Sequence, residues 1–195
     1  LPYLEQQSLS QQYRWDINWN NAANQTAVNT HLQVLHCAST PGDSERQDTV
    51  SPSITTAASD YAPVTGVAGI LVTAGFVPPM SNSSGVLASS QPVKMASIRD
   101  GTSSTLMITE DAGRPTFWTS RGRGPDNNYP GGGNLPVVNG RVRGAGWADT
   151  SNGIPLHGFT PDGLSVPGTC AINCTNNNEA FGFHHGGINV AFADG

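Results

Sequence analysis

Charge is scarce in this sequence. Only 12% of its 195 residues are Asp, Glu, Lys or Arg, about half the share of an average soluble domain. Long solvated helices draw on Glu, Lys and Arg, so they are not the architecture. Basic clusters are missing too. Nine Lys and Arg against 14 Asp and Glu leave a formal charge of −5. Apart from Arg121/Arg123 and Arg141/Arg143 the cations are scattered, which argues against nucleic acid as a partner. No apolar run approaches the roughly 18–20 residues of a membrane helix. The best, 64–77, is broken by Gly66, Gly69 and Gly75. No signal peptide is seen within the sequence, and residue 1 is Leu and not Met, so the chain is expected to be a processed or cut piece of its parent. A G-x-S-x-G frame for a serine nucleophile is absent. The Gly run at 131–133 lacks the Gly-Lys-Ser/Thr of a phosphate loop. These absences leave an enzyme with little support, and no catalytic residue is assigned.

What is abundant is Gly (23) and Pro (14), together with Asn, Ser and Thr, a composition that builds turns and hydrogen-bonding loops. The length fits one domain. A helix is expected over 1–13, with Leu1, Leu4 and Leu9 near one face, and a short one over 22–28. The alternation of Leu32 and Val34 predicts a strand over 31–37, ended by Ser-Thr-Pro-Gly. Residues 43–59 are polar and read as loop. Residues 59–69 read as extended, with Pro63 placing them at a sheet edge. The Ser- and Pro-rich stretch 78–92 reads as a surface excursion. Asp100-Gly101 marks a turn before a strand at 105–110, with Leu106 and Ile108 on one face. Further strands are expected at 116–120, at 141–149 with glycine interruptions, and at 188–192. Residues 121–140 and 150–180 read as long exposed loops. Helix in front and strands behind point to α+β. Leu106, Ile108, Ile188, Val190 and Phe192, packed on the N-terminal helix, are the expected core.

The chemistry-bearing residues gather near the end, in "FGFHHGGINVAFADG" at 181–195. His184 and Asp194 flank the last strand. Gly187 to Asp194 spans roughly 20 Å at strand rise, so the pair is not an acid–base dyad. His184 is expected to be half-buried, hydrogen-bonding the 170–179 loop to the sheet. Gly186-Gly187 leads into the strand, and Asp194-Gly195 turns out of it. Cys170 and Cys174 form a C-x3-C. In an extended strand their Cα atoms would stand roughly 13 Å apart, too far for a disulfide, but a tight turn brings them within range. The alternatives are a disulfide, leaving Cys37 free or paired elsewhere, or zinc ligation with His184, His185 and Cys37. The spacing matches no usual zinc pair, and adjacent histidines in a strand diverge, so no metal ligand is assigned. Calcium on Asn173, Asn176, Asn177, Asn178, Glu179 and Asp194 is an alternative without the Asp-x-Asp-x-Asp-Gly loop. Asp111 is expected to cap a turn, and Glu110 to pair with Arg114. Trp118, Tyr129 and Trp147 lie near polar loops and are candidates for stacking on a carbohydrate or small solute, against an alternative as core anchors.

The closing motif resembles the C-terminal signature of the DUF1559 family: His184, nine residues, then Asp194-Gly195. His185 stands where that family usually has Pro. "LPYLEQQSL", "DGTSSTLMITEDAGRP", "GWADTSNG" and "CAINCTNNNEAFGFH" extend the resemblance over the whole chain. It implies a bacterial, extracytoplasmic protein like a type IV pilin or pseudopilin. The expected fold is then a head of antiparallel sheet with an N-terminal helix packed on it. Residues 1–195 would be that single head domain, without the family's hydrophobic N-terminal helix and last strand. Partners would be other such subunits in a filament or secretion apparatus, with membrane contact only through the helix not present. The family has also been labelled solute-binding, which implies an extracytoplasmic carbohydrate- or solute-binding module as the alternative. No cofactor is implied.

Overall fold

The structure, a computed structural model, describes residues 1–42, 45–88 and 92–195. Parts of the expected 43–59 and 78–92 loops lie outside the described residues. The fold is α+β. Its front is helical but broken: a 3-10 turn at Pro2–Leu4, then α1 (Gln7–Gln12), then a 3-10 turn at Ala22–Asn24 running into α2 (Gln25–Val28). The single helix expected over 1–13 is split because Glu5 takes a left-handed conformation (φ 58°) that ends the first turn. Asn21 caps the second unit by accepting the Ala23 N–H at 2.9 Å. Leu9, Ala27 and Leu32 form a small core here, with Leu1, Tyr13, Leu35 and Trp147 against it. The helical front therefore packs on itself and on Trp147. Of the sheet residues expected to meet it, Val190 and Phe192 stay 41% and 39% exposed.

Residues 31–37 are not a strand. They hold a 3-10 turn at Gln33–Leu35, and Leu32 is 2% exposed while Val34 is 53%. The backbone here is pinned by one acidic residue instead of a ladder. Asp60 N–H donates to Leu35 O, and its Oδ2 accepts the Cys37 N–H at 2.9 Å. The polar stretch that follows is a hairpin, β1 (Gln47–Ser51) with β2 (Ile54–Ala57). Its one buried position on β1 is Asp48, whose Oδ2 accepts the N–H groups of Gly144 and Ala145. An acid facing inward hides the hairpin from a hydrophobic count, although its Thr, Val and Ile residues favour strand.

The main sheet comprises β3 (Tyr61–Val67), β4 (Leu106–Glu110), β9 (Ile154–Leu156) and β10 (Val190–Phe192), in the order β10-β4-β3-β9. A short helix, α3 (Gly69–Thr73), follows β3. All pairings are antiparallel except β3 with β9. So β3 is interior and not an edge. Pro63 is the last residue paired with β4, and β9 joins from Val64 on. Its missing N–H falls where the partner changes. A bulge sets β4 against β10: Ala191 opposes Ile108, and Phe192 opposes Leu106. Consecutive residues of β10 face opposite ways, so the bulge at Met107 turns Leu106 away from Ile108. Leu106 packs with Ala62, Val64 and Ile154. Ile108 instead lines a groove on the other face with Tyr61 and Pro63.

Two small ribbons complete the fold: β5 (Trp118–Thr119) with β6 (Gly122–Arg123), and β7 (Val137–Val138) with β8 (Arg141–Val142). Phe117, Val137 and Val142 form a core beneath them. The 150–180 stretch is not an exposed loop. Phe159, Cys174, Thr175, Asn176, Asn177 and Glu179 are buried. Its backbone is satisfied by side chains. Asn176 Oδ1 accepts the Trp118 N–H, and its amide donates to Ala112 O and Thr116 O. Asn177 does the same for both polar groups of Leu135.

A buried ionic network lies between these parts. Arg114 Nη2 is 2.7 Å from Asp111 Oδ2 and 3.0 Å from Asn152 Oδ1. Asp111, and not Glu110, is thus the partner of Arg114. Burial pushes the Asp111 carboxyl up to about 8; Arg114 opposes the shift, and Glu179 and Asp60 add to it. The folded chain then holds a proton on Asp111 that the unfolded chain releases near pH 4. The contribution of Asp111 to stability therefore falls as pH rises from about 4 to about 8. Urea unfolding across this range is expected to show that decline, and Asp111→Asn to flatten it.

Candidate functional site

The segment after Phe181 is laid beside the end of β4. Phe181 N–H donates to Glu110 O and Ala112 N–H to Phe181 O, a parallel bridge that fixes its register. Three residues later the chain turns, and His184 comes to face Glu110. Glu110 is fully buried. Its Oε1 lies 2.9 Å from His184 Nε2 and accepts the Asn189 amide at 3.1 Å, while Oε2 accepts the Asn189 backbone N–H at 2.7 Å. Buried Cys37 brings its Sγ to 3.1 Å from the same His184 Nε2. Ser39 Oγ is 3.3 Å from Nδ1 on the far side of the ring. One sulfur, one carboxylate oxygen and one imidazole nitrogen thus lie within 4.8 Å of one another.

Gly182 makes room for this. A Cβ there would stand 2.5 Å from Glu110 Oε2. That oxygen accepts the Asn189 N–H, so a retreat would stretch this bond.

The chemistry this cluster can perform is limited by which nitrogen faces inward. A nucleophile–base–acid relay needs the thiol on one imidazole nitrogen and the acid on the other. Here Sγ and Oε1 both face Nε2. Burial also pushes the Cys37 thiol up; the Ser39 backbone opposes the shift, and Glu110 and Asp60 add to it. A thiol so placed is a poor nucleophile. The three groups are instead arranged as donors converging on one point.

The other expected site residues are elsewhere. Asp194 is exposed in the terminal turn, well apart from His184 along the chain, and Gly195 N–H closes that turn on Phe192 O. Gly186 (φ 92°) makes the turn into β10 next to Gly187. Cys170 and Cys174 are joined by a disulfide with Cα atoms 6.2 Å apart. The turn that permits it is at Asn173 (φ 61°), whose side chain accepts the Gly182 N–H and donates to Gly187 O. It is Asn173, then, that ties the disulfide loop to the closing motif, while His184 reaches Glu110 and Cys37. Among the calcium candidates, Asn176 and Asn177 turn their oxygens to backbone N–H groups, and Glu179 Oε2 accepts those of His157 and Gly158. His185 is exposed.

Trp118, Tyr129 and Trp147 do not share neighbours. Trp118 packs edge-on against Phe183 at 5.2 Å. Trp147 donates its indole N–H to Thr30 O and packs on the helical front. Tyr129 is 95% exposed.

Fold and site together define an α+β domain with its C-terminal His-X9-Asp-Gly motif clamped onto the central sheet. The chain belongs to the DUF1559 family, described as a protein of unknown function, and residues 1–195 match it. No curated protein and no solved structure matches.

The cluster depends on Gly182. Gly182→Ala is expected to destabilise the fold by about 1–3 kcal/mol through displacement of Glu110, read as a lowered melting temperature. An unchanged melting temperature would mean that Glu110 moves at no cost.

Proposed function

We propose that this chain is the globular head of a pilin-like or pseudopilin-like subunit, a non-catalytic structural protein of the bacterial cell surface or secretion apparatus. The observation that carries the reading is an apolar groove of about 350 Å³ on one face of the main sheet, lined by Leu4, Leu35, Tyr61, Pro63 and Ile108 among others. Leu4 lies in the first turn of the chain, so a hydrophobic helix entering at residue 1 would run beside this groove and could cover it. Such a helix would supply the membrane anchor and the contact with neighbouring subunits. Among the described residues no helix is long and apolar enough to cross a membrane. The disulfide agrees with an oxidising, extracytoplasmic location.

The test is the N-terminus of the protein isolated from its native cells. A prepilin-type cleavage site followed by an apolar helix leading into residue 1 is expected. A parent protein with no such helix would overturn the reading.

One observation favours solute binding as a second reading. Exposed Tyr129 borders a cavity of about 630 Å³ with Asn127, Asn128 and Asp162, an aromatic face beside polar groups of the kind that holds a sugar. In this reading a glycan array gives specific hits that Tyr129→Ala removes. An array without hits would leave Tyr129 as a surface residue.

A further inference from the structure

We infer that Cys37, Glu110 and His184 form a zinc-binding site. The inference stands apart from the pilin-like reading and rests on four observations.

First, the polar atoms around His184 crowd onto one point. Nε2 lies 2.9 Å from Glu110 Oε1 and 2.8 Å from the Asn189 amide nitrogen, which is itself 3.1 Å from Oε1. A protonated Nε2 and the Asn189 N–H can share Oε1 as acceptor, but that sets two donor nitrogens 2.8 Å apart. With a cation, Nε2 and Oε1 both direct lone pairs at the metal, and Asn189 donates to the carboxylate.

Second, the three donors converge. They come from residues 37, 110 and 184, far apart in sequence, yet their ligating atoms lie within 4.8 Å of one another. The Sγ and Oε1 contacts share one imidazole nitrogen, as ligands around one ion do and the members of a proton relay do not.

Third, the surroundings orient each donor. Asp60 Oδ2 holds the Cys37 N–H, the Asn189 N–H holds Glu110 Oε2, and Ser39 Oγ reaches His184 Nδ1. Outer partners of this sort fix the tautomer and direction of metal ligands.

Fourth, the charge asks for a cation. Glu110 is fully buried, and its only ionic partner among the described residues is a histidine whose side chain is 34% exposed. A buried carboxylate needs a compensating charge. A thiolate and a carboxylate together balance one divalent ion.

Sulfur, nitrogen and oxygen in one set match a borderline cation, and zinc above calcium or magnesium, which prefer oxygen alone. Three protein ligands leave a fourth position for water, and the exposed side of His184 provides the way in.

The test is titration of the EDTA-treated chain, its disulfide intact, with Zn2+ by calorimetry and with Co2+ by absorption. One equivalent of Zn2+ is expected to bind. Co2+ is expected to give the near-ultraviolet charge-transfer band of a cobalt–thiolate bond together with tetrahedral visible bands. Cys37→Ser should abolish the charge-transfer band, and His184→Ala and Glu110→Gln should each weaken Zn2+ more than about tenfold. Absence of the cobalt–thiolate band in the unmutated chain would overturn the site whatever the variants do. So would one-equivalent Zn2+ binding that survives both Cys37→Ser and His184→Ala.

Discussion

One buried carboxylate holds the separate parts of this fold together. Asp60 sits just ahead of β3, and every polar group it owns is used. Its N–H donates to Leu35 O, and its carbonyl accepts the Asp111 N–H. Oδ2 accepts the Cys37 N–H; Oδ1 accepts the Gly113 N–H at 2.8 Å and Arg46 Nη2 at 2.6 Å. Arg46 continues to Arg114 O, and the Arg114 guanidinium to Asp111 and Asn152. A buried anion is costly unless paired and hydrogen-bonded, and this one is both. The candidate site depends on it directly. Cys37 lies on an irregular segment with no ladder of its own, and it meets His184 because Asp60 pins that segment to the sheet.

The same principle explains a domain poor in charge and regular structure. Much of its interior is loop, and buried loop backbone has donors and acceptors to satisfy. Asparagine does this work. Asn24 accepts the Arg14 N–H and donates to Arg14 O and Asn18 O, as Asn176 and Asn177 do for their own partners. A neutral amide offers both a donor and an acceptor without the desolvation cost of an ion. The Asn-rich run at 176–178 is therefore interior scaffolding and not a surface decoration.

This is also why some parts were legible in the sequence and others were not. β4 announced itself by apolar alternation after an Asp-Gly turn, and the closing motif by its spacing. The C-x3-C disulfide followed from a turn that Asn173 supplies. The β1/β2 hairpin was hidden because its inward residue is Asp48. Residues 31–37 alternate like a strand, but among the described residues no partner strand pairs with them. The split of Glu110 and Asp111 between His184 and Arg114 was unreadable, because adjacent residues at the end of a strand face opposite ways and only the tertiary fold says which partner waits on each side. Cys37 joined His184 across 147 residues of chain, and no local pattern reports a contact of that range.

The spacing of the His-X9-Asp-Gly motif acquires a structural meaning from these contacts. Its first residue is fixed at the C-terminal end of β4, where His184 meets Glu110. Ahead of its last two residues, Ala193 N–H donates to Thr105 O, one residue before β4 begins. Between them the chain makes the turn at Gly186 and pairs β10 antiparallel along β4. The motif is thus a ruler laid along one strand, with nine residues covering the turn and the length of β4. A shorter spacer could not reach both ends. A longer one would let either the histidine or the Asp-Gly turn slip from register. The histidine end reaches Glu110, and at the other end the Ala193 N–H, just ahead of the Asp-Gly turn, ties β10 to the start of β4.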